Sequence, residues 1–149
     1  MNLSKSNSNN FYYSKGTGKP MVFLHGFPDC PKNYENQINY FSELGYEVFC
    51  PFMPGYHPDD KELSSYDPTT ISLEIIKFIN SLDVGPVTLV GHDWGSSAAY
   101  GVASMEPSMV SRLITLSVPH GSKFVEAILT DGDQQRRSWY MFYFQLDLA

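Results

Sequence analysis

The amino-acid sequence predicts an α/β fold, a doubly wound and mostly parallel sheet, from the order and character of its apolar segments. Four short apolar runs are each too short for a helix and apolar on both faces, as in central strands that helices cover on both sides. Segments of helical period separate these runs, and parallel strands need such crossover connections. The predicted strands cover residues 21–24, 46–52, 87–90 and 113–118.

The segments between these strands carry the residues that begin and end helices. Pro31 can open a helix that Gly45 ends, since proline suits the first turn and glycine the position after the last. Asp67 can cap a second helix with an apolar stripe. A third helix is predicted to begin after Trp94 and to continue to Met105. This alternation predicts helices on both faces of the sheet.

Composition excludes several classes of partner. The chain has 149 residues, 42% of them hydrophobic and 17% charged, which is typical of a globular domain. A net charge of −6 without a basic run argues against nucleic acid. No apolar run approaches the roughly 18 to 20 residues of a membrane-spanning helix. We therefore expect neither a nucleic-acid nor a membrane partner.

The N-terminus and the cysteines indicate the cellular setting. Residues 1–10 are polar, and we expect them to be disordered and not to be a signal peptide. Cys30 and Cys50 have a spacing that fits neither a disulfide framework nor a metal site. We expect a cytoplasmic protein that uses no metal and no other cofactor. The sequence makes no prediction about oligomeric state.

The segment Gly91-His92-Asp93-Trp94-Gly95 is the strongest chemical signal, because it follows a predicted strand and opens a helix rich in small residues. A tight strand-to-helix turn of this kind presents its central side chain as a nucleophile and needs glycine on either side. Aspartate at the tip, where other hydrolases carry serine, can attack an sp³ carbon without prior deprotonation and form an ester. The alternative is an aspartate that merely caps the helix.

A second loop, His25-Gly26-Phe27-Pro28-Asp29, follows the first predicted strand. The backbone N–H groups of Phe27 and Trp94 could together form an oxyanion hole beside Asp93. The alternative is an ordinary turn built by glycine and proline.

Together the two motifs resemble the α/β-hydrolase superfamily and, within it, the epoxide hydrolases, over about residues 11–146. The resemblance implies that Asp93 is the nucleophile, that Phe27 and Trp94 supply the oxyanion hole, and that Phe27, Pro28 and Trp94 contact the substrate. Met53-Pro54-Gly55-Tyr56 resembles the family's Arg-Gly-Tyr-Gly loop, although Pro54 replaces the arginine and His57 the second glycine. Val118-Pro119-His120 resembles the family's segment after the next strand.

The resemblance also implies which parts of the family's machinery to look for. It divides the chain into residues 11–132, the N-terminal part of the hydrolase core, and residues 133–149, the start of a cap. A complete member is about twice as long and adds cap tyrosines, an acid and a histidine base, so the C-terminal half of the fold is expected to be absent here. We expect none of the four histidines to be that base; they are His25, His57, His92 and His120.

Three functions remain open at this point. The first is a hydrolase that forms an ester with an epoxide, incomplete as this chain. The second is a haloalkane dehalogenase, in which Trp94 would donate its indole N–H to a halide, although that family's loop usually offers asparagine where this chain has Phe27. The third is a binding module without turnover. The substrate expected in the first two is a small epoxide or alkyl halide.

Overall fold

The computed structural model describes residues 1–60, 62–144 and 146. Two short 3-10 helices, Pro31–Tyr34 and Pro107–Met109, supplement the longer elements. The strands are β1 (Asn2–Lys5), β2 (Phe11–Lys15), β3 (Lys19–Leu24), β4 (Tyr46–Pro51), β5 (Val87–His92) and β6 (Val110–Leu116). The helices are α1 (Glu35–Glu43), α2 (Pro68–Leu82), α3 (Trp94–Met105), α4 (Gly121–Thr130) and α5 (Gly132–Tyr143).

The six strands form one sheet in the order β1-β2-β4-β3-β5-β6. β3, β4, β5 and β6 are parallel to one another, whereas β1 and β2 add an antiparallel edge. The prediction of a doubly wound, mostly parallel sheet is therefore confirmed. The four predicted strands and three predicted helices all exist, with boundaries shifted by up to four residues, the largest shift being the start of α1 at Glu35, after the 3-10 turn that begins at Pro31.

Alternate residues of β3 enter two different cores, because successive side chains of a strand point to opposite faces. Val22 and Leu24 belong to a cluster that includes residues of α2 and α3. Met21 and Phe23 belong to a second cluster that includes Ile38 of α1. The sheet is thus covered on one face by α1 and on the other by α2 and α3, as the helical segments predict.

Two expectations about the edges of the sheet are wrong. Residues 1–10 are not a disordered lead-in, since β1 pairs with β2 from Asn2 to Lys5. Polar side chains suit this position, because an edge strand need not bury them. The predicted strand 113–118 is not a central strand covered on both sides: it ends at Leu116, and among the strands of the described residues it pairs with β5 alone. Ile114 is 40% and Leu116 50% exposed.

Residues Pro119–Ala149 form a second compact unit. Within it, Asp131 caps α5 by accepting hydrogen bonds from the N–H groups of Asp133 and Gln134. The predicted aromatic helix exists, and the large side chains of Trp139 and Phe142 in α5 and of Phe144 directly after it are more than half exposed. The division of the chain lies at Val118, earlier than the predicted boundary at residue 132. The assignment of residues 133–149 to a cap stays a prediction, and residues 145 and 147–149 lie outside the described part.

The described helices also bear on the membrane question. None of them combines the length and the apolar character that crossing a bilayer requires.

Candidate active site

The two loops singled out in the sequence meet at one edge of the sheet. β3 and β5 are adjacent and parallel, with Leu24 opposite Gly91, so the loops that follow them leave the sheet side by side. From β3 the chain moves to β4 on one side and then to β5 on the other. Such a reversal of strand order opens a crevice at the carboxyl ends of the strands, where ligands bind in open α/β sheets.

Asp93 occupies a strained turn between β5 and α3. Its φ of 53° and ψ of −119° lie in a region that L-residues rarely adopt, at a cost of roughly 1–3 kcal/mol. Its side chain makes no capping hydrogen bond to α3, which rules out the helix-cap alternative. Its backbone N–H donates to the carbonyl of Leu116 at 3.2 Å. The carboxylate is therefore held by the turn and is not used to begin the helix.

The flanking glycines are required for steric reasons. A Cβ on Gly95 would overlap the carbonyl oxygen of Leu24, and one on Gly91 would overlap the backbone of Gly95. A Cβ on Gly26 would lie 2.5 Å from the Cβ of Asp93. The two loops are thus in direct contact, with no room for a side chain at these three positions.

Phe27 contacts the carboxylate of Asp93 directly. Its backbone N–H donates to Oδ1 of Asp93 at 2.9 Å, and the Phe27–Pro28 peptide bond is cis. The side chains of Phe27 and Trp94 are 54% and 41% exposed, so apolar surface lies on the rim of the crevice. The N–H of Trp94 as a second donor, and the substrate contacts of Phe27, Pro28 and Trp94, stay predictions.

His25 links the loop after β3 to the backbone of Met53 through hydrogen bonds of both of its ring nitrogens. Its Nε2 accepts a hydrogen bond from the N–H of Met53 at 2.9 Å, so Nδ1 carries the proton and donates to the carbonyl of Gly26 at 3.0 Å. Burial lowers the pKa of this imidazole. Its ring also meets that of Tyr56 edge-on at 4.8 Å. Both nitrogens are engaged with backbone, which suits a structural role and not that of a catalytic base.

Tyr56 is close enough to Asp93 for the charge of that carboxylate to affect its hydroxyl. Burial raises the pKa of its hydroxyl, and the negative charge of Asp93 adds to that rise. The loop that resembles the family's Arg-Gly-Tyr-Gly segment therefore forms a wall of the same site.

Two further histidines have structural contacts. His57 stacks on Phe11, with ring centroids 3.7 Å apart, and meets Phe52 edge-on at 4.8 Å. In the second unit, His120 accepts a hydrogen bond from the N–H of Ser122 at the start of α4. His92 ends β5 and is half-buried. Across residues 1–60, 62–144 and 146, no three His, Cys, Asp or Glu side chains gather as metal ligands would.

Sequence reasoning missed one contact of the site. The helix pattern predicts Ser96 only as a small residue that lets α3 lie close to the sheet. In the structure its hydroxyl contacts the backbone of Gly91 and of Leu116. Leu116 lies 20 residues further along the chain, so no local pattern could indicate this partner.

Comparison with known proteins agrees with this geometry. Residues 19–144 match the family model of the alpha/beta hydrolase fold. The AB hydrolase superfamily protein YfhM of Bacillus subtilis is 34% identical over 131 residues, 87% of this chain and 46% of that protein. Epoxide hydrolase 2 of Caenorhabditis elegans is 31% identical over 130 residues, 86% of this chain and 36% of that protein.

A solved structure gives the same result. The crystal structure of Bacillus megaterium epoxide hydrolase in complex with an inhibitor has a TM-score of 0.88 and 32% identity, over 98% of this chain and 52% of that chain. The chain spans between about a third and about half the length of these three relatives. It belongs to the α/β-hydrolase fold family, and within that family it is similar to the epoxide hydrolases.

Proposed function

We propose that this chain carries the nucleophilic part of an epoxide hydrolase, with Asp93 forming an ester with a small epoxide. The observation that carries the proposal is the hydrogen bond from the N–H of Phe27 to Oδ1 of Asp93, at 2.9 Å. It binds one carboxylate oxygen and leaves Oδ2 to attack. The names of the epoxide hydrolases that the chain resembles give the same substrate class.

In the first step, Oδ2 of Asp93 attacks an epoxide carbon. A C–O bond forms between the protein and the substrate, and the C–O bond of the strained ring breaks, so the substrate oxygen leaves as an alkoxide that takes up a proton from water. Oδ1 then becomes the carbonyl oxygen of the ester and keeps its hydrogen bond to the N–H of Phe27. The ring strain of the epoxide drives the step, and no cofactor is needed.

In the second step, water adds to the ester carbon of Asp93. The negative charge that develops on Oδ1 is stabilised by the N–H groups of Phe27 and Trp94, as preorganised donors stabilise an oxyanion. Collapse of the intermediate releases the diol and restores the carboxylate. This step needs a base for the water, and the contacts of His25 and His57 favour structural roles for both. We therefore expect the ester to accumulate on this chain.

Intact-mass spectrometry tests the proposal. The purified chain is incubated with styrene oxide, and we expect a gain equal to the mass of the whole epoxide, located at Asp93 by peptide mapping. Asp93→Asn should abolish the adduct. Asp83→Asn is the matched control, because Asp83 is an exposed aspartate that also has a positive φ, of 54°. The control should react as the wild type does.

The other outcomes discriminate between the remaining functions. A 1-haloalkane that leaves only its alkyl group on Asp93 and releases halide, with no reaction from the epoxide, would favour the dehalogenase. A folded protein that forms no adduct with either compound would favour a binding module. Multiple turnover that disappears in Asp93→Asn would show that the chain has a base of its own. A cytoplasmic setting is part of the proposal, and the free thiols of Cys30 and Cys50 support it.

A further inference from the structure

Ser96 makes contacts that a merely small residue would not make. It is the third residue of α3 and is fully buried. Its Oγ lies 2.7 Å from the carbonyl oxygen of Gly91 and 2.8 Å from that of Leu116. The same Oγ accepts a hydrogen bond from the N–H of Leu116 at 3.1 Å. Because a hydroxyl has one proton, it donates to one of these carbonyls at a time.

These contacts join three segments at the nucleophile. Gly91 is a residue of β5 that lies two positions before Asp93, and Leu116 is the last residue of β6. The carbonyl of Leu116 also accepts the N–H of Asp93 at 3.2 Å. The carbonyl of Leu116 therefore accepts the N–H of Asp93 and shares the hydroxyl proton of Ser96 with the carbonyl of Gly91.

The location of this junction makes the hydroxyl important. Asp93 has a strained backbone, and such a conformation persists only where surrounding contacts hold it. One of those contacts comes from β6, which lies at the edge of the described sheet and whose last residue is half-exposed. Ser96 connects the end of this edge strand to the first turn of α3, and the hydrogen bond between Tyr100 and Thr115 joins the same two elements further along the helix.

We propose that Ser96 is a positioning residue, whose hydroxyl ties the end of β6 to the nucleophile turn and so directs the Asp93 carboxylate toward the N–H of Phe27. The tie acts on backbone groups and does not touch substrate. The expected effect of Ser96 on the reaction rests on the proposed function. The expected effect of Ser96 on the backbone of the turn does not depend on any chemistry.

Ser96→Ala removes the hydroxyl and little else, and Ser97→Ala is the matched control on the next residue of α3. We expect Ser96→Ala to slow ester formation at Asp93 by about 10-fold or more at saturating styrene oxide, because small misplacements of a reacting group cost up to about 100-fold. Ser97→Ala should stay within about 2-fold of wild type, a margin that corresponds to about 0.4 kcal/mol.

Amide hydrogen exchange, followed residue by residue by NMR, separates this role from a loss of stability. We expect faster exchange at Asp93 and Leu116 in Ser96→Ala, with the amides of β3 unchanged. An unchanged rate at both amides, or an equal acceleration throughout β3, would overturn the proposal. In wild type, the Leu116 amide should exchange at least about 10-fold more slowly than that of an unfolded chain. A Leu116 amide without such protection would also overturn it, whether or not the variant folds.

Ester formation and amide exchange together distinguish the proposed function of Asp93 from the positioning role of Ser96. Failure of the wild type to form any ester contradicts the proposed function, and the exchange rates then decide alone whether Ser96 holds the turn. Normal ester formation in Ser96→Ala contradicts the positioning role and leaves the proposed function standing.

Discussion

Strands β5 and β6 are both apolar runs in the sequence, but β6 packs only one face on the core, through Val110 and Leu113, and exposes the other. β5 pairs with β3 and β6, and its Val87 and Leu89 are fully buried. β6 is the last strand of the sheet that the described residues form, and its Ile114 and Leu116 are 40% and 50% exposed. Both strands nevertheless serve the same site, since β5 leads into Asp93 and β6 supplies the carbonyl that binds its N–H. The turn at Asp93, the candidate nucleophile, therefore receives contacts from a buried strand and from a strand with one exposed face.

The largest expected effect comes from a glycine on the buried side of this turn. Gly95→Ala would place a methyl group on the backbone of Leu24, and backbone cannot move aside as a flexible side chain can. We expect a loss of about 3 kcal/mol or more in the free energy of unfolding, measured by denaturant titration. Gly132→Ala is the matched control, because a Cβ there meets nothing within 4 Å.

The control should change the free energy of unfolding by no more than about 1 kcal/mol. Similar losses of unfolding free energy in the two variants would mean that steric overlap at Gly95 does not cause the destabilisation by Gly95→Ala.

The next largest effect is a difference in unfolding free energy between leucine-to-alanine variants of β5 and β6. Leu89→Ala empties a fully buried position of β5 and should cost about 2–5 kcal/mol. Leu116→Ala truncates a half-exposed side chain at the end of β6 and should cost less than about 1 kcal/mol, since much of the surface is already in water. Thermal or denaturant unfolding of both variants gives the comparison. A cost at Leu116 equal to that at Leu89 would show that β6 is covered in solution.

The smallest effect concerns pH and the buried loop after β3. Burial lowers the pKa of His25 below its ordinary value of 6.5. The unfolded chain therefore binds a proton on this imidazole at a higher pH than the folded chain does. The stability that neutral His25 contributes is present above pH 6.5 and is lost as the pH falls below it, toward the lowered pKa.

Denaturant titrations between pH 8 and pH 5 test this expectation. The free energy of unfolding should fall with pH in the wild type, and the fall should be shallower in His25→Gln. Glutamine offers an acceptor for the N–H of Met53 without titrating, so the comparison isolates the proton. A slope that is unchanged in the variant would mean that other groups produce the pH dependence.

Much of the fold could be predicted from local patterns, because local patterns report local requirements. The glycines at positions 91 and 95 indicate a turn without room for side chains, and the structure shows the overlaps that any Cβ would cause. Asp67 reads as a helix cap and accepts the N–H groups of Thr69 and Thr70. From the sequence, Asp93 could equally be a helix cap or a candidate nucleophile. Its backbone dihedral angles and the hydrogen bond from the N–H of Phe27 argue against the cap.

Local sequence patterns are enough to establish the order of strands and helices along the chain and the chemical identity of the candidate nucleophile, because apolar period and turn residues act over a few positions. Tertiary structure alone decided which apolar strand is buried, since that depends on what lies beside it in the sheet. It also decided the pairing of the polar N-terminus as β1 and the tie from Ser96 to Leu116. These contacts join residues far apart in the chain, and their free energy depends on a geometry that exists only after the sheet has formed.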